Sequence, residues 1–177
     1  RQLRRREMLR IAWRDLAGWA DLDETLATLS EFADACVDGA LAPLHAWAVA
    51  KSGEPRGEHS GKPQRLAVLA LGKLGGQELN FSSDIDLIFA YPEEGETQGA
   101  PPLSNHEFFI RLGQSLINAL NETTADGFVF RVDNRLRPWG DAGPLAAGFD
   151  ALEDYLITHG REWERFAWLK ARAVRGD

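Results

Sequence analysis

The sequence contains one cysteine, Cys36, and therefore cannot form an internal disulfide framework. It also has no apolar run that approaches the roughly 20 residues needed to cross a bilayer, and it shows no secretory signal. These absences predict a cytoplasmic protein that does not span a membrane. Cys36 lies at helical spacing from Leu29 and Ala33, which predicts a buried apolar position rather than a nucleophile.

Positive charge is also scarce. Lys and Arg number 20 against 27 Asp and Glu, which gives a net charge of -7. Nucleic-acid binding needs a basic face that neutralises phosphates, so this balance argues against it. The basic residues are concentrated at the start of the chain: Arg1, Arg4, Arg5, Arg6, Arg10 and Arg14. This cluster is either a solvated helix face, with arginine stems over apolar surface, or a contact for an acidic partner or for another part of a longer protein.

The apolar pattern divides the chain into a helical part and a mixed part. Residues 1–50 repeat with a helical period, with Leu9, Trp13 and Leu16 on one face, and predict a helical hairpin as an N-terminal extension. Residues 51–64 are polar and rich in Gly and Pro, and predict a surface loop. Residues 65–177 predict an α+β core, a small mixed sheet flanked by helices. Because the chain does not begin with Met, we expect a piece of a longer protein; a processed full-length protein is the alternative.

Within the core we expect strands at 65–71, 85–91 and 128–136, the first two joined by a Gly-rich turn. Ser104 and Glu107 form a capping box that opens a helix. That helix carries an apolar stripe of Phe108, Leu112, Leu116 and Leu120.

A last helical region follows Asp150 and is interrupted near Gly160. Trp163 and Trp168 in this region are expected to pack onto the sheet, with base stacking as the alternative.

The segment LGKLGGQELNFSSDIDLIFAY, from Leu71 to Tyr91, is the most informative. Asp84 and Asp86 stand two residues apart at the start of an apolar strand, so both side chains leave the same face. Like charges held side by side repel unless a cation lies between them. Beside a Gly-rich turn, this pair predicts a divalent metal ion that serves a nucleotide phosphate.

A third carboxylate is expected, because two would leave a metal under-neutralised once a nucleotide arrives. In the segment FVFRVDNRLRP, alternation places Asp133 on one face between Arg131 and Arg135. If this strand pairs beside the first, Asp84, Asp86 and Asp133 converge. The sequence then predicts a magnesium site, with two ions about 3.5–4 Å apart that activate an attacking oxygen and stabilise a leaving one.

The glycines upstream of the strand predict a phosphate-binding turn. Gly72, Gly75 and Gly76 let the backbone approach a phosphate closely. Lys73 and Ser83 add a positive charge and a hydroxyl donor. A tight connection between two strands is the alternative for the glycines, and the turn matches neither a P-loop nor a dinucleotide fingerprint.

Arg135 and Arg137 are further candidates for the site. Arginine suits bidentate phosphate contact, so the two residues are expected to bind nucleotide phosphates or to stabilise transition-state charge. Structural ion pairs with nearby acids are the alternative. The histidines are scattered without metal-ligand spacing, and none is assigned a role.

Three segments that cover nearly the whole chain resemble a known family: LGKLGGQELNFSSDIDLIF, RVDNRLRPWGDAGPLA and ALEDYLITHGREWERFAWLKARAV. They resemble the nucleotidyltransferase superfamily, which includes DNA polymerase beta, and more narrowly the family of bifunctional glutamine synthetase adenylyltransferase/adenylyl-removing enzymes. The resemblance implies a nucleotidyltransferase (DNA polymerase beta-like) fold and metal ligation by Asp84, Asp86 and Asp133. It also implies phosphate contacts at Gly72 and Ser83.

The segments look most like the N-terminal, adenylyl-removing half of that family. The implied reaction is phosphorolysis, in which inorganic phosphate attacks an adenylyl group on a tyrosine of glutamine synthetase and releases ADP. The implied cofactor is Mg²⁺, with AMP, ADP or ATP as substrate or product. The implied partners are glutamine synthetase, a C-terminal adenylyltransferase half of the same chain and a PII-type nitrogen-signalling protein.

Other functions remain open at this point. The chain could be the half that attaches AMP from ATP to the same tyrosine. It could also be a regulatory module that binds nucleotide without turnover, although the intact acidic set argues against this. A small-molecule nucleotidyltransferase is a further alternative.

Overall fold

A computed structural model describes residues 1–175 as a mixed α+β structure, which confirms the predicted class. Its helices are α1 (Gln2–Leu16), α2 (Leu22–Ser52), α3 (Gly72–Gly75), α4 (Asn105–Asn121), α5 (Phe149–Thr158) and α6 (Glu162–Ala167), with 3-10 turns at Gly140–Ala142 and Trp168–Lys170. Its strands are β1 (Pro55–Gly57), β2 (Ala67–Leu71), β3 (Ile85–Tyr91), β4 (Gly95–Thr97), β5 (Val132–Asp133), β6 (Ala146–Gly148) and β7 (Arg172–Arg175). None of the helices in this part of the chain has the length and apolar character needed to cross a membrane.

Strand β3 is the centre of the main sheet. The strand order is β5–β3–β2–β7, and β2 runs antiparallel to both β3 and β7. Along its other edge β3 has two parallel neighbours, β5 beside its first residues and β6 beside its last. A separate small sheet joins β1 to β4. The beginning of β3, where the aspartates lie, is therefore adjacent to β5.

Helix α4 packs its predicted apolar stripe against this sheet. Ser104 caps the helix, because its hydroxyl oxygen accepts a hydrogen bond from the N–H of Glu107 at 3.1 Å. The whole stripe is buried: Phe108, Leu112, Leu116 and Leu120. Gly113 permits a close approach of helix and sheet, since a Cβ there would lie 2.9 Å from the ring of Phe89 in β3. The predicted N-cap at Ser104 and the apolar stripe are both confirmed, whereas the return bond of a capping box, from the Glu107 side chain, is not seen in the described residues.

Helix α1 packs through a different face from the predicted one. Leu9, Trp13 and Leu16 are 68%, 63% and 86% exposed. Ile11 is buried instead, and Met8 packs against the core beside it. The spacing of apolar residues identified a continuous stripe, but α2 contacts the neighbouring side of the helix. The predicted stripe therefore lies in solvent.

The basic N-terminus is bound to the segment that follows α4. Arg5 pairs with Asp126 at 3.3 Å, and the guanidinium carbon of Arg4 lies 4.8 Å from the centroid of the Phe128 ring. Arg4 thus lies over apolar surface, as one of the two alternatives predicted, whereas Arg5 pairs with an acidic residue of the same chain. Cys36, predicted to be buried, is half-buried and packs against the core as a free thiol.

The third predicted strand, 128–136, is too long and is reduced to β5. On its N-terminal side, the N–H of Val129 donates to the carbonyl of Leu120 in α4 at 2.9 Å. On its C-terminal side, the N–H of Arg135 turns back to the carboxylate of Asp133 at 2.9 Å. Because both flanks use their backbone donors outside the sheet, the pairing with β3 lasts two residues.

Two other segments differ from the sequence-based expectation. Helix α2 continues to Ser52, and the segment expected as a loop at 51–64 contains strand β1. The last helical region breaks near Gly160, as expected, but ends in strand β7, which pairs with β2. Trp163 in α6 is half exposed and does not pack on the sheet as predicted.

Candidate active site

The predicted acidic side chains meet where β3 begins. In the parallel pairing of β3 with β5, Asp86 is the register partner of Asp133, and Asp84 lies two residues before Asp86. Burial raises the pKa of the Asp86 carboxyl, and the negative charges of Asp133 and Asp84 raise it further. The structure therefore brings these residues close enough for their charges to interact.

Two of the carboxylates are neutralised by arginines. Arg131 donates from Nε to Oδ1 of Asp84 at 2.5 Å and from Nη2 to the carbonyl of Ser82 at 2.9 Å. Arg135 donates from Nε and Nη2 to Oδ2 of Asp133 at 2.9 and 2.5 Å. The hydrogen bonds from Arg135 hold the pKa of Asp133 below its ordinary value. Arg135 therefore favours the ionised form of Asp133, and Arg131 forms an ion pair with Asp84.

Gly72 lies directly against the remaining carboxylate, Asp86. Its backbone has φ +56°, in the left-handed region, and a Cβ at this position would lie 2.3 Å from Oδ2 of Asp86. A side chain at position 72 would therefore displace that carboxylate. The predicted role of Gly72 was close approach to a phosphate; what the structure shows is close approach to Asp86 at the start of α3.

Lys73 and Ser83 are brought together beside these acids. Nζ of Lys73 lies 3.2 Å from Oγ of Ser83, and the charge of Lys73 lowers the pKa of Asp86 against the larger effects that raise it. The Ser83 hydroxyl donates to Oδ1 of Asn80 at 2.7 Å. A hydroxyl has one proton, so Ser83 orients Lys73 in this arrangement, and Lys73 retains the donors that a phosphate could use.

Arg137 is engaged within its own loop. It is buried, and its Nη1 donates to both the carbonyl and the side-chain oxygen of Asn134 at 2.8 Å. Its Nε donates to the carbonyl of Gly143 at 3.4 Å, and Asp141 lies 3.4 Å away. These contacts favour a structural role for Arg137 over contact with a nucleotide. Arg135, by contrast, is largely exposed at the acidic site.

Carboxylate oxygens are suitable ligands for magnesium, but two of the three carboxylates are paired with arginines in this structure. Carboxylate oxygens are the ligands Mg²⁺ prefers, and no hydrogen bond within the described chain reaches Asp86. No group of three His, Cys, Asp or Glu side chains among residues 1–175 is arranged to hold a metal ion. The donor set therefore suits Mg²⁺ by its chemistry, whereas its arrangement in the described residues is that of arginine ion pairs.

Sequence reasoning missed two residues of this site. Arg131 was noted as a neighbour of Asp133 on one strand face, yet it pairs with Asp84 across the sheet. Asn80 was not singled out, although Asn followed closely by two serines is typical of a side chain that accepts bonds within its own turn. The signal for Asn80 was local, whereas the partner of Arg131 could be identified only from the pairing of β3 with β5.

Comparison with known proteins identifies the family. The family model described as glutamate-ammonia ligase adenylyltransferase matches residues 1–177. The bifunctional glutamine synthetase adenylyltransferase/adenylyl-removing enzyme of Thioalkalivibrio sulfidiphilus is 63% identical over 177 residues. Enzymes of the same name from Nitrosococcus oceani and Pseudomonas aeruginosa are 61% and 58% identical over 178 residues.

These alignments cover 100% of the chain but 18% of the length of each relative. The chain thus spans about a fifth of the curated proteins it matches. Since the family model covers every residue, the chain belongs to the glutamate-ammonia ligase adenylyltransferase family.

Proposed function

We propose that this chain is a nucleotidyltransferase-fold core that removes AMP from an adenylylated tyrosine of glutamine synthetase. An oxygen of inorganic phosphate attacks the α-phosphorus, the bond from phosphorus to the tyrosine oxygen breaks, and ADP and the free tyrosine leave. The register of Asp86 with Asp133, beside Asp84, carries the proposal. It is supported by relatives whose name includes adenylyl removal.

In this proposal Asp84, Asp86 and Asp133 hold Mg²⁺. When bound, the ion supplies positive charge to the phosphate oxygens and to the departing phenolate oxygen. A tyrosine phenol has a pKa near 10, so its departure requires charge stabilisation more than a strong general acid. The residues proposed for the site accordingly include no histidine as a general acid.

Lys73 positions the attacking phosphate in this proposal. Its ammonium group donates to Oγ of Ser83, and the Ser83 hydroxyl donates to Asn80. These two consecutive hydrogen bonds fix the position of the positive charge. Gly72 keeps the space beside Asp86 free of a side chain. Positioning and charge then provide most of the rate acceleration, as is usual in phosphoryl transfer.

The partners are proposed on the same basis. The names of the relatives support glutamine synthetase as the protein substrate, and their greater length supports an adenylyltransferase half in the same polypeptide. Regulation by a PII-type nitrogen-signalling protein stays a prediction from the sequence resemblance.

Labelled phosphate provides the direct test. The chain is incubated with adenylylated glutamine synthetase, Mg²⁺ and [³²P]phosphate, with the Thioalkalivibrio sulfidiphilus enzyme as positive control. We expect label in ADP from the wild type and from Asp150→Asn, but none from Asp133→Asn. Asp150 is a matched control because it lies in the first turn of α5, just after β6, which pairs with the opposite end of β3. Labelled ADP from Asp133→Asn would refute the site.

Attachment of AMP is the second candidate, because the relatives are named for both activities. With [α-³²P]ATP and unmodified glutamine synthetase, label on the protein without labelled ADP in the first assay would favour attachment. A module without turnover would give neither product and would still bind nucleotide after Asp86→Asn.

A further inference from the structure

Two carboxylates of the acidic site form an ion pair with an arginine, and the third does not. We call Asp84 and Asp133 the outer carboxylates, because Asp86 interacts electrostatically with both. Arg131 lies 2.5 Å from one oxygen of Asp84, and Arg135 donates to both oxygens of Asp133. The site is thus partly neutralised by the chain itself.

The arginines occupy the oxygen atoms that a metal ion would need. A carboxylate ligates Mg²⁺ through oxygen lone pairs, and a guanidinium N–H directed at the same oxygen excludes the ion from that position. Both oxygens of Asp133 are used in this way, whereas Arg131 reaches only Oδ1 of Asp84. Metal and arginine therefore compete for the outer carboxylates.

Both arginines can leave their carboxylates for solvent, because the side chains of Arg135 and Arg131 are 73% and 56% exposed. The pair of Arg131 with Asp84 is exposed on both sides, and such pairs contribute little to stability because water solvates the separated charges almost as well. The Asp133 side chain is 17% exposed, so its charge requires a replacement cation when Arg135 leaves. Arg131 would remain anchored after release, since it also donates to the carbonyl of Ser82 and lies 5.8 Å from the centroid of the Phe128 ring.

We propose that Arg131 and Arg135 are exchangeable counter-ions of the acidic site. Each neutralises an outer carboxylate until a divalent cation displaces it, and the freed guanidinium groups then bind a phosphate group of the incoming substrate. In this scheme Arg131 is a phosphate-binding residue in addition to Arg135.

The exchange makes metal and phosphate binding cooperative. Before the cation binds, the charges of the two arginines are cancelled by Asp84 and Asp133, and the charge of Lys73 acts on Asp86 from beside Ser83. After it binds, both guanidinium groups are free to contact phosphate oxygens, which arginine does in bidentate geometry. By thermodynamic linkage, phosphate must then strengthen metal binding by the same factor.

Manganese binding without turnover tests this proposal. Free Mn²⁺ is followed by electron paramagnetic resonance during titration of the chain in phosphate-free buffer. We expect Arg131→Gln and Arg135→Gln each to bind Mn²⁺ about two- to fivefold more tightly than the wild type, the range expected for removal of an exposed ion pair. Arg111→Gln is the matched control, because Arg111 forms an exposed pair with Glu107 on α4. We expect the Mn²⁺ affinity of this variant to equal that of the wild type.

A second titration measures the coupling. Inorganic phosphate should tighten Mn²⁺ binding by the wild type but not by the Arg131→Gln, Arg135→Gln double variant. A parallel titration with ADP distinguishes inorganic phosphate from a nucleotide as the source of the phosphate group. Arg135→Lys keeps the charge but not the planar donor geometry. We expect its Mn²⁺ affinity to lie between those of the wild type and Arg135→Gln.

The inference rests on the proposed metal site, and the outcomes separate the two. Unchanged or weaker Mn²⁺ affinity in both single variants, with binding by the wild type intact, overturns the arginine exchange alone. No Mn²⁺ binding by the wild type overturns the exchange and the proposed function together.

Discussion

Replacing Gly72 by alanine tests whether the close contact with Asp86 organises the site. A non-glycine residue in the left-handed region costs about 1–2 kcal/mol, and position 72 has φ +56°. For a chain of this size, that cost lowers the melting temperature by roughly 2–8 °C. The added Cβ would also lie 2.3 Å from Oδ2 of Asp86, so the carboxylate has to move by about an ångström. A displacement of that size can reduce activity about a hundredfold.

Gly61→Ala separates the two effects. Gly61 has φ +64°, and no atom lies within 4 Å of the position that its Cβ would take. Both variants should lose similar stability in thermal unfolding, but only Gly72→Ala should lose Mn²⁺ affinity and ADP formation. If Gly72→Ala retained the Mn²⁺ affinity of Gly61→Ala, the contact with Asp86 would have no functional role and the reasoning would be refuted.

Two further variants test the loop and the charge balance. Arg137→Ala removes buried charged hydrogen bonds to Asn134 and Gly143, and should lower the free energy of unfolding in urea by about 1.5–3 kcal/mol; wild-type stability would contradict the structural role. The pKa of Asp86 is raised in the folded state, so its ionisation destabilises the fold as pH rises past the unfolded-state pKa. Asp86→Asn should therefore be more stable than wild type at pH 7. It should not be more stable at pH 3, where the Asp86 carboxyl of the wild type is largely protonated in both the folded and the unfolded state. Equal stability of the two proteins at pH 7 would contradict this reasoning.

The sequence was sufficient to identify the acidic residues but not their neighbours. Alternation places Asp84 and Asp86 on one face of an apolar strand, a purely local property. Their approach to Asp133 depends on a parallel pairing across about 47 residues, which the pattern allowed but did not require. The partner of Asp84, Arg131, follows from that pairing and could not be chosen among several nearby arginines beforehand.

The packing of α1 shows a second limit. Leu9 and Trp13 form a clear apolar stripe, whereas the packed face carries Ile11 together with Arg4, a residue that hydrophobic patterns count as polar. The guanidinium of Arg4 lies over an aromatic ring, so its charge is accommodated at the packed face. A pattern that scores arginine only as a solvated charge therefore selects the wrong side of the helix.

Asp133 is positioned mainly from outside the sheet, which distinguishes it from Asp86. The N–H of Val132 donates to the side chain of Asn121 in α4 at 3.1 Å, and the following Asn134 is held by Arg137. A helix end and a buried arginine thus fix the residues on either side of Asp133, while Asp86 is fixed by the central strand. Changes to the loop should therefore move the carboxylate of Asp133 and leave that of Asp86 in place, because only Asp133 depends on that loop for its position.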